Sequence, residues 1–212
     1  MIDEQTGKTP SSFWRELPIL LGVAILVAVL VRTFLLQTFY IPSGSMEHTL
    51  DLNDRVLVNK LVHDLRSPER GEIIVFKAPL EWRNNPNEED FIKRVIGVGG
   101  DRIRCCDQGH LTVNGQPLDE PYIYSKDGRR DPAASRNFDV VVPDGRLWVM
   151  GDHRSSSGDS LQNWANNNED IMMATVPEDA VIGRAFTIFW PVDRATWLSV
   201  PDTFESVPAP VG

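Results

Sequence analysis

Cysteine is almost absent from this chain of 212 residues: there are two, Cys105 and Cys106, and they are adjacent. Such a pair is neither a C-x-x-C redox motif nor half of a zinc site. It reads as two free or structural thiols, with a vicinal or intermolecular disulfide as the alternative in an oxidising compartment. The four histidines are scattered without ligand spacing, so neither metal nor cofactor is expected. Positive charge is also short: 21 Lys and Arg against 30 Asp and Glu leave a formal net charge of -9. Residues 1–37 balance Asp3, Glu4 and Glu16 with Lys8, Arg15 and Arg32. The acidic excess therefore lies wholly in residues 38–212 and disfavours nucleic acid as a partner. No internal repeat and no long amphipathic helix pattern stands out.

Long apolar runs are limited to one, from Leu17 to Leu36. At about 1.5 Å per residue it would span roughly 30 Å, the thickness of a hydrocarbon core. The following stretch, Thr33 to Tyr40, has no small-x-small site of the kind that ends a removable signal peptide. The expectation is a retained transmembrane anchor over residues 17–37, preceded by a polar segment 1–16. Beyond it come short β-prone runs punctuated by Gly and Pro: Arg55 to Lys60, Glu72 to Lys77, Phe91 to Ile96, Phe138 to Val142, Leu147 to Met150 and Val181 to Trp190. Asn114-Gly115 between two such pieces predicts a hairpin turn. The fold class expected is all-β, coiled-sheet or barrel-like, over residues 38–200, with one N-terminal helix. Residues 151–170 read as a polar stretch, and 201–212 as a disordered Pro-rich tail.

Three stretches carry residues suited to chemistry. Ile41-Pro42-Ser43-Gly44-Ser45-Met46 is a turn that can hold a hydroxyl at a bend with its amides exposed, as a serine nucleophile needs. Taken alone it reads first as a polar turn between an anchor and a domain. Lys93 lies among Phe91, Ile92, Val95 and Ile96. On an alternating strand it reads first as a solvated lysine. The alternative is a lysine turned into an apolar cleft, where it loses its proton easily enough to act as a base. Arg94 should face the opposite side of that strand. Gly151 to Ser160 reads as a solvated loop, yet it offers Ser157 as a partner for an amine, and Asp152, Arg154 and Asp159 as a buried ionic brace.

Together and in this order, with Asp54-Arg55-Val56, Arg70 to Phe76, and Gly97, Gly100 and Asp101 between them, these motifs resemble the bacterial type I signal peptidases from the anchor to about Trp190. The resemblance implies a membrane-bound serine endopeptidase that cuts signal peptides from exported preproteins after small-x-small (A-x-A) sites. Ser45 would be the nucleophile and Lys93 the general base. The Ser43 hydroxyl and Ser45 amide would form the oxyanion hole. Ser157 would orient the Lys93 amine, Asp159 with Arg154 and Asp152 would hold the loop, and Ile41, Met46 and Ile92 would line small apolar subsites. It also implies a cytoplasmic N-terminus, a catalytic domain on the far side of the plasma membrane, and preproteins and membrane lipid as partners. Leu161 departs from the family, which commonly has arginine there; Gly158 and Gly99 stand where alanine and proline are common.

Nine residues separate Leu36 from Ser45, at most about 30 Å of extended chain. The serine is thus expected near the membrane face, where an apolar surface that includes Trp82 would meet headgroups. The alternatives are a serine-histidine hydrolase using His153 and a membrane-tethered β domain that only binds. A penicillin-binding type of site is excluded, because its S-x-x-K pattern would need a lysine where His48 stands.

Overall fold

The computed structural model describes residues 13–30, 35–83 and 85–210. The chain divides after Leu36 into two units. In the first, α1 (Phe13–Leu30) is an 18-residue helix that begins with Arg15 and Glu16 near its start. At 1.5 Å per residue it is about 27 Å long. Among the described residues no helix is long and apolar enough to cross a membrane. The expected span 17–37 also includes residues 31–34, which lie outside the described residues. The large apolar side chains of α1 whose placement is described, from Leu17 to Val27 and Val29, are exposed, with Ile19 at 66% and Leu20 at 65%.

The second unit is built on β-sheet. Its strands in chain order are β1 (Leu36–Tyr40), β2 (Arg55–Asn59), β3 (Ile73–Lys77), β4 (Asp90–Gly97), β5 (Arg102–Asp107), β6 (His110–Val113) and β7 (Gln116–Pro117). They continue with β8 (Ser125–Lys126), β9 (Arg129–Arg130), β10 (Phe138–Val141), β11 (Arg146–Met150), β12 (Val176–Pro177), β13 (Val181–Trp190) and β14 (Thr196–Trp197). An eight-stranded sheet runs β1-β2-β13-β3-β4-β11-β12, with β14 also on β13. A smaller sheet runs β10-β5-β6-β7. The turn at Asn114-Gly115, both at positive φ (52° and 82°), joins β6 to β7 as the Asn-Gly pair predicts.

The uninterrupted β-branched run of β3 has a simple cause: both its faces are covered. Ile73 and Val75 enter an apolar cluster with Ile41, Met46, Leu50, Val56 and Val58. Ile74 and Phe76 enter another with Trp82, Val95, Leu147 and Val149. Successive side chains of a strand point to opposite faces, so a strand packed on both sides loses the apolar-polar alternation of an exposed one. β2, covered on one side, keeps it, with Val56 and Val58 buried between more open neighbours. Strand β4 is paired with β3 along its length, Ile74 opposite Lys93 and Val75 opposite Ile92. On its other edge β11 reaches only Arg94, Val95 and Gly97. Residues 90–93 thus present one unpaired edge.

Three expectations are corrected. The stretch 151–170 contains α3 (Ser160–Asn166), which Asp159 caps by accepting from the Leu161 and Gln162 amides. Seven residues are too few for a helical period to show in sequence. The C-terminal segment is packed where described: Phe204 and Val207 join the largest apolar cluster, and the Pro208 carbonyl accepts from Asn114 Nδ2 at 3.0 Å. Its prolines suggested a loose end, but the aromatic and β-branched residues between them bury enough surface to hold it. Trp82, expected to face headgroups, is 5% exposed, meets Phe76 edge to face and donates its Nε1–H to the Met173 carbonyl at 2.8 Å.

Candidate active site

A cleft of about 250 Å³ opens beside the 39–45 segment and the free half of β4. Ser45 and Lys93 both line it, yet they are only 8% and 4% exposed. Lys93 Nζ lies 2.7 Å from Ser45 Oγ and donates a second bond to the Ile92 carbonyl at 3.0 Å. In its register Lys93 shares the face of Ile74, an apolar position, and sits 5.5 Å from the centre of the Phe91 ring. Burial drives its pKa down from 10.5 to about 8, while Asp159, Asp152 and Glu88 keep it from falling further. That is a lysine able to hold or release a proton near neutrality, in contact with a hydroxyl.

The nucleophile segment is held from both ends. The Ile41 amide donates to the Asp54 carbonyl and the Asn53 amide to the Ile41 carbonyl, while Met46 accepts from the Thr49 and Leu50 amides. Asp54 in turn takes a two-point bond from Arg194, at 2.9 and 3.0 Å. Ser43 is exposed and lines the cleft. Neither its hydroxyl nor the Ser45 amide has a hydrogen-bond partner among the described residues. Ile41 and Ile92 line the cleft, joined by Phe39, Val75, Trp82 and Phe91. Met46 does not line it; it is fully buried in the same cluster as Ile41.

Behind the nucleophile lies the loop that follows β11. Gly151 is its point of closest approach: a Cβ there would come within 2.4 Å of both the Ser45 carbonyl and Ser157 Oγ. Only glycine allows that contact. Ser157 Oγ is buried and has no hydrogen-bond partner among the described residues, so the expected bond to the Lys93 amine is not made in this arrangement. Asp159 accepts from the amides of Gly151, Leu161 and Gln162. Burial pushes its carboxyl up, against the Gly151 amide and the nearby Lys93 charge.

The ionic brace differs from the one expected. Asp152 pairs with Arg94, at 2.9 and 2.6 Å, and accepts from Thr49 Oγ1. Arg154 pairs with Glu120 and donates to the Gly151 carbonyl. The two guanidiniums face the Tyr122 ring at 4.0 and 6.0 Å, and the Tyr122 hydroxyl donates to Glu120. Arg94 does lie on the opposite strand face from Lys93, but it is 2% exposed because that face is covered too. Glu120 lies 34 residues before Arg154, and no local pattern marks it as a partner. Leu161, where arginine is common, is 4% exposed in the largest apolar cluster; Asp159 needs no cation there because three amides satisfy it.

His153 Nδ1 is 3.1 Å from the Gly44 carbonyl and 3.0 Å from Glu47. The ring contacts the turn, not the Ser45 hydroxyl. Cys105 and Cys106 are bonded to each other on β5, away from this cleft's lining residues. Among the described residues no group of three or more His, Cys, Asp or Glu could hold a metal ion.

A family model described as signal peptidase, peptidase S26, matches residues 14–190. The chain belongs to this signal peptidase family. It is 40% identical over 198 residues to a probable signal peptidase I-2 of Synechocystis sp., covering 93% of this chain and 83% of that one. It is 36% identical over 216 residues to signal peptidase I of Mycobacterium tuberculosis, covering 85% and 74%. A crystal structure of a signal peptidase I from Enterococcus faecalis V583 is similar with 24% identity and a TM-score of 0.40, over 56% of this chain and 97% of that one. As a signal peptidase family member the chain is a peptidase, and the sheet-rich unit described above is the part that holds the cleft.

Proposed function

We propose that this protein is a membrane-bound serine endopeptidase that cuts signal peptides from exported preproteins after small-x-small sites, with Ser45 as nucleophile and Lys93 as general base. The observation that carries the proposal is the 2.7 Å contact between Lys93 Nζ and Ser45 Oγ, both largely buried at the wall of the cleft. A neutral Lys93 takes the Ser45 proton as Oγ attacks the scissile carbonyl. The oxyanion that forms is stabilised by the Ser45 amide and the Ser43 hydroxyl, both free to donate. The lysine, now an ammonium, gives its proton to the departing amine. A water that enters next is deprotonated by the same lysine and splits the acyl-enzyme, which restores Ser45.

An extended peptide laid along the open edge of β4, residues 90–93, would take main-chain hydrogen bonds there and point alternate side chains toward Ile41 and Ile92. The apolar walls that Ile41, Ile92 and Phe39 give the cleft favour apolar side chains. Membrane attachment is supported by the exposed apolar surface of α1 and by the apolar residues that follow it in sequence. Exposed Trp190, Val192 and Trp197, at 52%, 70% and 75%, support lipid contact by the sheet unit. The orientation proposed is N-terminus cytoplasmic and catalytic unit outside.

The test is cleavage of a precursor bearing an A-x-A site by the detergent-solubilised full chain, compared with folded Ser45→Ala and Lys93→Ala variants. The proposal expects a cut after the second alanine and none by either variant. Cleavage by Lys93→Ala would remove lysine from the base role.

A further inference from the structure

His153 makes four contacts that no chemistry assigned so far uses. Its backbone amide donates to the Ser45 carbonyl at 3.1 Å. Its ring Nδ1 faces the Gly44 carbonyl at 3.1 Å and a Glu47 carboxylate oxygen at 3.0 Å. The ring lies flat on Tyr124, with centroids 3.8 Å apart and planes 19° apart. Both neighbours of Nδ1 are acceptors, so Nδ1 carries the proton and donates to them whether or not the ring is charged. The flanking charges are engaged elsewhere: Asp152 with Arg94 and Arg154 with Glu120.

The Gly44 carbonyl and the Ser45 amide belong to one peptide unit. The described cis peptide bonds are Cys105-Cys106 and Trp190-Pro191, so the Gly44-Ser45 unit is trans and its C=O and N–H point in opposite directions. The carbonyl takes a bond from the Glu47 amide at 3.1 Å as well as from the His153 ring, and fixing it on one side fixes the direction of the amide on the other. The next carbonyl, of Ser45, is held by the His153 amide. One residue of the loop after β11 therefore grips both peptide units that flank the nucleophile. Gly44 has its own part in this: a Cβ there would come within 2.9 Å of the Glu47 carboxyl group, which lies over it toward the His153 ring.

Taking the Ser45 chemistry proposed above as its basis, we infer that His153 is a positioning residue that aims the Ser45 amide at the oxyanion. It touches neither substrate nor the reacting atoms. Because an oxyanion donor acts on charge that develops only in the transition state, losing its aim lowers kcat and leaves KM nearly unchanged. The backbone contact survives any substitution at 153, so side-chain variants isolate the ring. Asparagine carries an N–H at the same bond distance from Cα as Nδ1 and can replace the donor; alanine cannot.

The experiment measures kcat and KM for the full-length detergent-solubilised protein and its His153→Ala and His153→Asn variants on an A-x-A precursor peptide across pH. Ser45→Ala and Lys93→Ala serve as controls. His153→Ala should lose roughly 10- to 100-fold in kcat, with KM within about twofold and the rising pH limb in place, since Lys93 still sets it. His153→Asn should recover most of the loss. Thermal unfolding of each variant separates lost aim from lost fold. An alanine variant with unchanged kcat, a loss confined to KM, or an asparagine variant no better than alanine would each overturn the inference while the Ser45 and Lys93 assignments stood. If the controls still cut, the dyad falls and the inference with it.

Discussion

If Lys93 is the base, the pH dependence of cleavage follows from its burial. The amine must be neutral to act, and its pKa lies at about 8. The neutral fraction is then about 10% at pH 7, half at pH 8 and about 90% at pH 9. The rate at sub-saturating substrate should rise roughly ninefold from pH 7 to pH 9 and then level. A lysine left at 10.5 would give a rise of about tenfold per pH unit with no plateau in that range. Stability carries the same signature. The folded pKa lies below the unfolded one, so between pH 8 and 10.5 the unfolded chain holds more protons and stability rises with pH. Below pH 8 both states carry the charge and the cost of burying it is present in full. The gap of 2.5 units, from 10.5 to about 8, corresponds to about 3 kcal/mol. Lys93→Met removes the term, so between pH 7 and pH 10 the unaltered chain should gain about 2 to 3 kcal/mol on the variant in denaturant unfolding. Taking the difference cancels packing changes that do not depend on pH. Initial rates on a quenched-fluorescence precursor peptide over pH 6–10 supply the kinetic half. A profile already level at pH 7, or a stability difference that does not move with pH, would refute the desolvated-lysine account.

Asp159→Asn keeps a capping oxygen for α3 but removes the charge that does most to hold the Lys93 pKa up, so the rising limb should move to lower pH; the same rate profile checks it. Asp152→Ala strands the Arg94 guanidinium at 2% exposure and should cost about 3 to 5 kcal/mol in denaturant unfolding. Gly151→Ala should abolish cleavage by driving the loop off the Ser45 carbonyl. Gly158→Ala, whose Cβ would meet only Gln162 Oε1 at 3.6 Å, should stay within a few-fold of the parent in kcat/KM.

Much of this protein was legible in its residues. The strand stretches announce themselves because β-branched runs bounded by Gly and Pro have few other uses, and Asn114-Gly115 could only be a tight turn. Ser45 and Lys93 could be singled out because the motifs around them, in order, resemble those of the type I signal peptidases; neither residue's setting alone would have done so. What lay beyond the sequence was pairing at a distance and burial from both sides. Arg94 and Lys93 are neighbours that alternation sends to opposite faces, and one face should have been wet. The sheet is covered on both, so two adjacent cations are buried, each with its own partner. Asp152, Arg154 and Asp159 were expected to form one ionic brace; in the fold Asp152 pairs with Arg94 and Arg154 with Glu120, brought near by segments from elsewhere in the chain. Met46 is the next residue after Ser45, which lines the cleft, in a turn too short to reveal which side each side chain faces. Local sequence thus determines strand identity and the supply of reactive groups, since both depend on the side chains themselves. Only tertiary structure decides which carboxylate meets which guanidinium and how far a lysine is desolvated, because those depend on segments that the chain returns to the same place.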